Sequence, residues 1–383
     1  MTDKDQPVPV AGEGTNAARV LVAAGGTGGH LFPAEALAAA LAKRNVAVEL
    51  VTDSRAARHA GAFAGAVHVI PSATIRGRNP FSLARTASVL GYGLLKAWFK
   101  LPGLRPAVVV GFGGYPTIPP LLAATMRGIP TLIHEQNAVM GRANRMLAPR
   151  VRAIATGFAG ILNREPVLAV KATHTGNPVR PAVIAAASVP YPPLDAAGKL
   201  QLLVFGGSQG ARVMADIVPP AIERLDPALR GRLQIVQQAR DEDIERVRET
   251  YARLQVSCTV EPFFKDLPAR MAASHLVVSR SGASTVAELS AIGRPGILIP
   301  LPHALDQDQR ANAGVLMDAG GAIRIDQADF TPERLATEIA ALAAEPRRLA
   351  AMAAAARAAG SIDAADRLAD LVLRVAGVIP ASR

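Results

Sequence analysis

The sequence is poor in cysteine and in aromatic residues. Cys258 is its one cysteine among 383 residues, which excludes an internal disulfide and a cysteine-based metal cluster. This cysteine usage is typical of a reducing compartment. Aromatic residues make up only 4% of the chain, whereas hydrophobic residues of all kinds make up 50%. Alanine, valine and leucine must therefore do most of the core packing.

Long apolar runs are also missing. No segment reaches the roughly 18–20 apolar residues that a membrane-spanning helix needs. Residues 1–18 lack the apolar centre of a signal peptide, so we predict a disordered tail there. The formal net charge of +11 then has three candidate partners, namely nucleic acid, an anionic membrane surface and phosphorylated substrates. The alternative is that much of the arginine only keeps an alanine-rich surface soluble.

A glycine-rich turn at residues 25–30, Gly-Gly-Thr-Gly-Gly-His, is the first motif that points to chemistry. An apolar run precedes it and a helical pattern follows, an order that aims backbone N–H groups and a helix N-terminus at an anion. His30 is the side chain type best suited to move a proton near neutral pH. Asp53 follows a second predicted strand, as a ribose-binding acid would. Because Leu31 stands where the dinucleotide motif has its third glycine, NAD binding is disfavoured.

The second half of the chain begins like the first. Residues 202–211 repeat the order of apolar strand, paired glycines, hydroxyl residue, glycine and helix, and Gly206 follows Gly25 by 181 residues. Strand candidates alternate with helices throughout, which predicts an α/β protein with two Rossmann-like parallel-sheet domains that face each other across a cleft. We expect the tail at 1–18, a first domain at 19–182, a linker at 183–199, a second domain at 200–360, and a C-terminal helical segment at 361–383 that fits either domain.

Polar clusters follow several predicted strands, where open α/β sheets build their sites. One is His134-Glu135-Gln136-Asn137. Residues 280–288 open a helix whose N–H groups suit a diphosphate, with Glu288 placed to accept hydrogen bonds from ribose hydroxyls. Residues 300–309 offer amides and acids to a sugar, and the aromatic loop 263–266 suits a nucleobase. Each cluster alone is compatible with ordinary capping chemistry, but three in one domain indicate a ligand site.

Residues 75–106 combine apolar residues at helical spacing with arginine and lysine, and the stretch contains no acidic residue. The chain's one tryptophan lies there. A helix of this kind can lie in a lipid headgroup layer. The alternative is a helix packed on the sheet with a solvated basic face. The residues that we predict to meet the membrane are Leu94, Leu95, Lys96, Trp98, Phe99 and Lys100.

In their order, these motifs resemble the MurG family of bacterial glycosyltransferases over about residues 19–360. The resemblance is carried by residues 25–30, Gly113-Gly114-Tyr115, His134-Glu135-Gln136-Asn137, Gly176-Asn177-Pro178-Val179-Arg180, residues 206–211 and Arg280-Ser281-Gly282-Ala283. It implies a GT-B fold, with the donor held by the second domain and the acceptor by the first. It also implies inverting β(1→4) transfer of N-acetylglucosamine (GlcNAc) from UDP-GlcNAc to the muramoyl 4-hydroxyl of the polyprenyl-linked acceptor lipid I, giving lipid II.

The resemblance further implies, by position, a set of substrate-binding residues: Thr27, Gly28, Gly29, Asn137, Arg180, Ser208, Phe264, Ala283, Ser284, Thr285, Val286, Ala287, Glu288 and Gln309. Phe264 stands where family members often have an aliphatic residue, and Ser284 where some have leucine, so their backbones matter more there than their side chains. Residues 116–119 depart from a commoner small Ser-Gly pattern, which leaves the acceptor side less defined.

The resemblance also implies partners and a location. The partners are UDP-GlcNAc, lipid I, an anionic inner-leaflet surface and proteins of cell-wall synthesis or cell division, and nucleic acid is not among them. The location is peripheral, on the cytoplasmic face of the bacterial inner membrane. The role would be in peptidoglycan synthesis, cell shape and division.

Inversion needs a base for the attacking hydroxyl, opposite the leaving UDP. His30 is the first candidate and Glu135 the second. The helix that starts at Ser284, together with Arg180, can supply positive potential to the leaving diphosphate, so we predict neither a required metal nor another cofactor. The rival functions are another GT-B transferase with a lipid or antibiotic acceptor, a UDP-sugar epimerase, and a basic nucleic-acid-binding protein. The scarcity of aromatic residues disfavours the last of these.

Overall fold

The computed structural model describes residues 18–25, 28–57, 63–73, 79–195, 197–302 and 307–379. The strands of the first half are β1 (Arg19–Ala23), β2 (Ala47–Thr52), β3 (Val67–Val69), β4 (Val108–Gly111), β5 (Thr131–Glu135), β6 (Ala153–Thr156) and β7 (Ala172–His174). Its helices are α1 (Gly28–Ala42), α2 (Ser54–Ala57), α3 (Pro80–Leu104), α4 (Ile118–Met126), α5 (Arg142–Leu147), α6 (Pro166–Ala169) and α7 (Pro181–Ala187).

The second half alternates strands and helices in the same way. Its strands are β8 (Leu200–Phe205), β9 (Leu233–Gln238), β10 (Ser257–Glu261), β11 (Leu276–Ser279), β12 (Gly296–Leu298) and β13 (Ala322–Arg324). Its helices are α8 (Arg212–Glu223), α9 (Pro227–Arg230), α10 (Ile244–Arg253), α11 (Leu267–Ala273), α12 (Ala283–Ile292), α13 (Asp308–Asp318), α14 (Pro332–Ala344), α15 (Pro346–Ala359) and α16 (Ala364–Val375).

The strands of each half form one parallel sheet. The first sheet has the order β3-β2-β1-β4-β5-β6-β7 and the second β10-β9-β8-β11-β12-β13. In both, the strand order reverses beside the first strand of the domain, between β1 and β4 and between β8 and β11. Ligands of open α/β sheets bind at the carboxyl ends of the strands next to this reversal. Gly25 follows β1 and Gly206 follows β8 at that point, and the two parallel sheets confirm the predicted pair of Rossmann-like domains.

Alternation along the central strand explains how the first domain is built. Val20 and Val22 belong to the core cluster on one face of the sheet, with residues of α1 and α16. Leu21 and Ala23 belong to the cluster on the other face, with residues of α3 and α4. Because neighbouring residues of a strand point to opposite faces, a run that is apolar throughout requires helices on both sides.

The C-terminal helix α16 returns to the first domain. Leu368 and Val372 are fully buried in the same cluster as Val22. Arg44, just beyond α1, forms an ion pair with Asp370 at 2.6 Å between Nη1 and Oδ1. The sequence left the docking of this segment open, and the structure assigns it to the first domain, so the chain crosses between the domains twice.

The first crossing is shorter than the predicted linker at 183–199. Pro181 occupies the first turn of α7, and Val183 is fully buried in the core cluster of the second domain, beside Leu203 and Leu289. Residues 183–187 are therefore helical and packed. The extended chain that follows is held by Arg294, whose guanidinium is buried and donates hydrogen bonds to carbonyl oxygens on both sides: those of Val189, Pro190, Ala272, Ile292 and Gly293.

The basic stretch of the sequence forms α3. Its first turn is capped by the Asn79 side chain, which accepts a hydrogen bond from the Phe81 N–H, and it ends at Arg105 in a left-handed conformation with φ 46°. Within the described ranges, the structure contains no helix with both the length and the apolar character needed to cross a bilayer.

The structure corrects two of the residues predicted to meet the membrane. Leu94 and Trp98 pack against the core of the first domain, and the Arg127 guanidinium lies 4.0 Å from the Trp98 ring centroid. Leu95 and Phe99 instead lie on the outer side of the helix and are 53% and 71% exposed. Because α3 is apolar over much of its circumference, its spacing alone did not decide which residues face outward.

Candidate active site

A cavity of about 1130 Å³ lies between the two domains and opens at the carboxyl ends of both sheets. The first domain contributes Gly29, His30, Phe32, Gln136, Asn137 and Arg180 to its lining. The second domain contributes more residues, among them the glycine turn from Gly206 to Gly210, Phe263 and Phe264, Ala283 to Thr285, Glu288, Asp308 and Gln309. Most of the predicted site residues therefore meet in one cavity. Thr27 lies outside the described residues.

His30 lies in the first turn of α1, above the second glycine turn of its own domain. A Cβ atom added to Gly113 would be 3.4 Å from its Cε1 atom, and one added to Gly114 would be 3.6 Å from its Cδ2 atom. Both glycines have positive φ angles, 83° and 75°, so this close turn requires glycine.

The surroundings of His30 keep its imidazole neutral. Burial lowers the pKa of His30, while the Phe112 backbone, the Gln136 side chain and the charge of Asp308 raise it less. The net direction is downward, because burial disfavours the charged form. A neutral imidazole at the mouth of a substrate cavity can accept a proton at neutral pH.

Glu135 is occupied within its own domain. Its Oε1 atom accepts a hydrogen bond from the Asn137 N–H at 2.9 Å, and its Oε2 atom accepts from the Gly141 N–H at 2.9 Å and from Asn144 Nδ2 at 2.8 Å. The side chain is 2% exposed and does not belong to the lining of the cavity. This geometry braces the loop after β5, so Glu135 supports the position of Asn137 rather than offering a free carboxylate to a substrate.

The N-terminus of α12 presents unpaired donors to the cavity. The Val286 N–H is bonded to the Gly282 carbonyl, so the N–H groups of the three preceding residues have no partner within the helix. In the part of the chain that the structure describes, no side chain caps this helix. Ala283, Ser284 and Thr285 line the cavity, and their N–H groups and the helix dipole favour an anion there.

Two residues of this predicted segment do not line the cavity. Val286 is 1% exposed and belongs to the core of the second domain, and Ala287 is half-buried against the same core. Their side chains serve packing, because the inner face of α12 must cover the sheet. The structure therefore gives these two side chains a packing role, and the prediction that Val286 and Ala287 bind a substrate stays a prediction.

Arg180 and Glu288 form an ion pair across the cavity, with 3.0 Å between Nη2 and Oε1. The guanidinium also lies 4.5 Å from the Phe32 ring centroid. Burial raises the pKa of Glu288, and the Arg180 charge opposes this rise. Arg180 Nε is buried without a hydrogen-bond partner among the described residues. Arg180 thus offers a further donor to an anion that enters the cavity.

The remaining residues predicted to bind the nucleotide-sugar lie around the glycine turn of the second domain. A Cβ atom at Gly206 would lie 2.2 Å from the Ala211 nitrogen, so the turn is too tight for any other residue. Ser208 is exposed at its tip. Phe264 is buried, and the Arg270 guanidinium carbon lies 4.5 Å from its ring centroid. Phe263 is 59% exposed, so its ring is the more accessible of the two for stacking on a nucleobase.

Gln309 lines the cavity from the first turn of α13. Its Oε1 atom accepts a hydrogen bond from the Leu301 N–H at 3.1 Å, and its backbone oxygen accepts from Ser281 Oγ at 2.8 Å. Residues 303–306 of the predicted sugar-binding loop lie outside the described part of the chain.

Sequence reasoning missed Gln238 and Phe32, which shape the site, and named Arg280 only as part of a motif, without a role. Gln238 Oε1 accepts from the Gly206 N–H at 3.0 Å, and its Nε2 atom donates to the Pro262 carbonyl at 3.1 Å, which ties the glycine turn to the aromatic loop. Arg280 donates to the carbonyls of residues 299 and 300 and so holds the loop after β12. Phe32 supports Arg180. The sequence signal that could have identified Gln238 is the polar pair Gln237-Gln238 at the end of strand β9.

Asp-x-Asp sequences occur at 3–5, 241–243 and 306–308, and residues 3–5 lie outside the described part of the chain. Asp243 is buried and paired with Arg246 at 2.7 Å, and residue 306 lies outside the described part. Among the described residues, no group of three or more histidine, cysteine or acidic side chains could hold a metal ion. The absence of a metal requirement stays a prediction.

Family models match both halves of the chain. The glycosyltransferase family 28 N-terminal domain matches residues 20–156, and the C-terminal domain of the same family matches residues 201–368. The chain belongs to glycosyltransferase family 28. The two matched segments coincide with the two sheets that face the cavity, so the family assignment covers both walls of the site.

Close relatives within family 28 extend over nearly the whole chain. The protein of Rhodopseudomonas palustris (strain HaA2) named UDP-N-acetylglucosamine--N-acetylmuramyl-(pentapeptide) pyrophosphoryl-undecaprenol N-acetylglucosamine transferase is 66% identical over 365 residues, which is 95% of this chain and 100% of the relative. The protein of the same name from Bradyrhizobium sp. (strain BTAi1 / ATCC BAA-1182) is 62% identical over 365 residues, with 95% and 100% covered.

Solved structures agree with this assignment. The crystal structure of Acinetobacter baumannii MurG has a TM-score of 0.76 at 30% identity and covers 93% of this chain and 99% of its own. A UDP-GlcNAc 2-epimerase from Neisseria meningitidis has a TM-score of 0.65 at 14% identity, with 93% and 100% covered. The second likeness shows the fold alone. The resemblance to the MurG family and the GT-B fold are thus confirmed, and the chain is a glycosyltransferase.

Proposed function

We propose that this chain transfers GlcNAc from UDP-GlcNAc to the 4-hydroxyl of the muramoyl sugar of lipid I, with inversion, to give lipid II. The observation that carries the proposal is that His30 of the first domain and the N-terminus of α12 of the second line one cavity. The names of the close relatives, which match this chain over 95% of its length, support the same donor and acceptor.

On the donor side, the leaving group is a diphosphate that gains negative charge as the glycosidic bond breaks. The free N–H groups of Ala283, Ser284 and Thr285 and the guanidinium of Arg180 can stabilise that charge, because they are already oriented before reaction. Glu288 can accept hydrogen bonds from the ribose hydroxyls. In that state Arg180 turns from the carboxylate toward the diphosphate.

On the acceptor side, the attacking hydroxyl must lose its proton as it approaches the anomeric carbon opposite the leaving UDP. His30 belongs to the first domain and the diphosphate donors to the second, so the two groups border the cavity from opposite walls. This arrangement supports His30 as the general base. We assign Glu135 a supporting role, because four N–H groups already surround its carboxylate.

A transfer assay tests the proposal directly. The protein is incubated with radiolabelled UDP-GlcNAc and a short-chain lipid I analogue, and the disaccharide product is separated and analysed for its β(1→4) linkage. We expect transfer, and equal transfer after treatment with a chelator, since no metal step is proposed. Absence of transfer to lipid I, together with transfer to another lipid or antibiotic acceptor, would reject the assignment. Release of epimerised UDP-sugar would favour the epimerase instead.

We further propose that α3 docks the protein on an anionic membrane surface at the cytoplasmic face of the inner membrane. Four large apolar side chains recur on the outer side of this helix, and we call them the α3 apolar face: Phe81, Tyr92, Leu95 and Phe99, which are 83%, 61%, 53% and 71% exposed. Phe81 and Phe99 lie eighteen positions apart on this helix, which is about 27 Å along its axis. Arg85 and Lys96 are exposed beside them, and Lys100 is half-buried. This combination suits an interfacial helix.

Charge reversal at Lys96 and Lys100 tests the membrane proposal. Because each lysine near an anionic surface contributes about 1 kcal/mol, the variant Lys96→Glu/Lys100→Glu should bind anionic vesicles about 30-fold more weakly or worse. UDP affinity should stay unchanged, since α3 does not line the cavity. Sedimentation with vesicles that contain anionic lipid measures the binding. The control Arg347→Glu/Arg348→Glu makes the same change in charge on α15, and equal loss in both variants would contradict a specific role of α3.

A further inference from the structure

Asn312 lies at the seam between the two domains, one turn after Gln309 on α13. Its side chain is 0% exposed, and neither family motif nor charge draws attention to it. The Ala138 N–H of the first domain donates to its Oδ1 atom at 2.8 Å. Its Nδ2 atom donates to Asn137 Oδ1 at 3.0 Å and to the Ser281 carbonyl at 3.2 Å. One buried carboxamide thus joins both domains.

The two backbone partners fix the orientation of this carboxamide. The Ala138 N–H can only donate and the Ser281 carbonyl can only accept, so the Asn312 oxygen must face Ala138 and its nitrogen must face Ser281. Asparagine alone has a donor and an acceptor at this reach from the backbone. An aspartate at this position would place a carboxylate oxygen against two acceptors, Asn137 Oδ1 and the Ser281 carbonyl oxygen. A serine side chain would be too short to reach both domains.

Asn312 contacts residues 137 and 138, and the neighbouring residue Gln136 contacts His30. Glu135 braces residues 137 and 141 from within the first domain, and Gln136 donates from Nε2 to the Phe112 carbonyl at 3.2 Å. Gln136 faces His30 and lines the cavity with it. On the other side, Ser281 directly precedes the α12 turn, and its Oγ atom donates to the backbone oxygen of Gln309. Asn312 is therefore the shared anchor of the base-bearing and the diphosphate-facing walls.

We propose that Asn312 is a positioning residue that fixes the distance and orientation between the two walls of the cavity. It holds the loop at residues 136–138 against the turn at 281–283, so that His30 and the donor sugar meet in reactive geometry. The inference rests on the proposed transferase function for its kinetic test only. Its physical content, that Asn312 locks the domains together, is independent of the substrate.

The kinetic test compares Asn312→Asp and Asn312→Ser with the wild type in the transfer assay. Misplacement of reacting groups by about 1 Å costs on the order of 100-fold in rate, so we expect kcat to fall by about that factor. The affinity for UDP should change little, because most of the residues that we propose to hold the nucleotide belong to the second domain. The control is Gln237→Leu, which removes a fully buried amide bonded to Tyr251 and Met214 within the second domain. It should lower thermal stability and leave kcat unchanged.

A distance measurement completes the test without any activity. Cys258 is the chain's one cysteine and is exposed on the second domain, so a second label at Ala42→Cys on the first domain gives a defined pair. We expect a broader distance distribution in both Asn312 variants and an unchanged one in Gln237→Leu. Wild-type distances or wild-type kcat in Asn312→Asp would overturn the proposal. An inactive wild type with a broadened Asn312→Asp distribution would reject the proposed function and keep the lock.

Discussion

Replacement of His30 by alanine is expected to lower kcat for GlcNAc transfer by about 10²–10⁴-fold, the usual contribution of a positioned general base. The side chain lines the cavity from the wall opposite the diphosphate donors, where the attacking hydroxyl of an inverting transferase must lie. The affinity for UDP should change little, because we propose His30 as a base for the acceptor hydroxyl and not as a contact of the nucleotide. Steady-state kinetics and UDP titration of the same preparation measure both quantities.

The pH dependence gives a second signature of His30. Burial lowers its pKa below the ordinary 6.5, so the imidazole loses its proton, and becomes able to act as a base, at a lower pH than a free histidine. The wild-type kcat/KM should therefore rise with pH through a pKa below 6.5 and be level at pH 7. The His30→Ala variant should lack this acid limb.

His174→Ala is the matched control, because His174 is exposed at the end of β7 and lies outside the cavity. It should keep both the rate and the pH profile of the wild type. Added imidazole should restore part of the activity of His30→Ala, since the small molecule can enter the space left by the side chain. An acid limb that persists in His30→Ala, with kcat near the wild-type value, would assign the base to another group.

The sequence predicted the position of the site better than its internal contacts. Both glycine turns and the cluster after β5 follow apolar runs, and parallel strands bring their carboxyl ends to one edge of a sheet. That rule is sufficient to bring His30, Asn137 and Arg180 to one side of the cavity and Glu288 to the other. The strand β6, with the sequence Ala-Ile-Ala-Thr, was not predicted, because two of its four residues are alanine, which is uncommon in strands.

The role of a buried acid depends on its partners, which residue type does not reveal. Glu135 is the last residue of β5, and Glu288 lies on α12, the helix that follows β11. From the sequence, both were candidates for a role in catalysis or binding. The structure surrounds Glu135 with N–H donors of its own domain, whereas Glu288 has a single partner among the described residues, Arg180, inside the cavity. Long-range contacts decide this difference, since Arg180 is 108 residues away from Glu288.

Long-range packing also determines the features of the fold that the sequence left undecided. The helix α16 has an apolar face that suits either sheet, and only the space left beside α1 assigns it to the first domain. Asn312 is one polar residue among many on α13. Its importance comes from the 174 and 175 residues that separate it from its partners in the first domain.

The second large effect is expected at Glu288. The Glu288→Ala variant should bind UDP about 100-fold more weakly or worse, because the ribose hydroxyls lose the buried carboxylate that we propose as their acceptor, and each hydrogen bond to a charged group contributes about 1.5–3 kcal/mol. Calorimetric titration with UDP measures the change. Glu35→Ala is the control, since Glu35 also lies in the field of Arg180 and does not line the cavity.

Ribose recognition by Glu288 can be separated from its pairing with Arg180 by a nucleotide that lacks one hydroxyl. The wild type should bind 2′-deoxy-UDP more weakly than UDP, because the Glu288 carboxylate is then left without one of its donors. If Glu288 contacts that hydroxyl, the Glu288→Ala variant should bind UDP and 2′-deoxy-UDP equally, since the effects of two changes on one contact do not add. Full additivity of the two losses would show that Glu288 acts only through Arg180, and the diphosphate rather than the ribose would then be the part of the donor that Glu288 helps to hold.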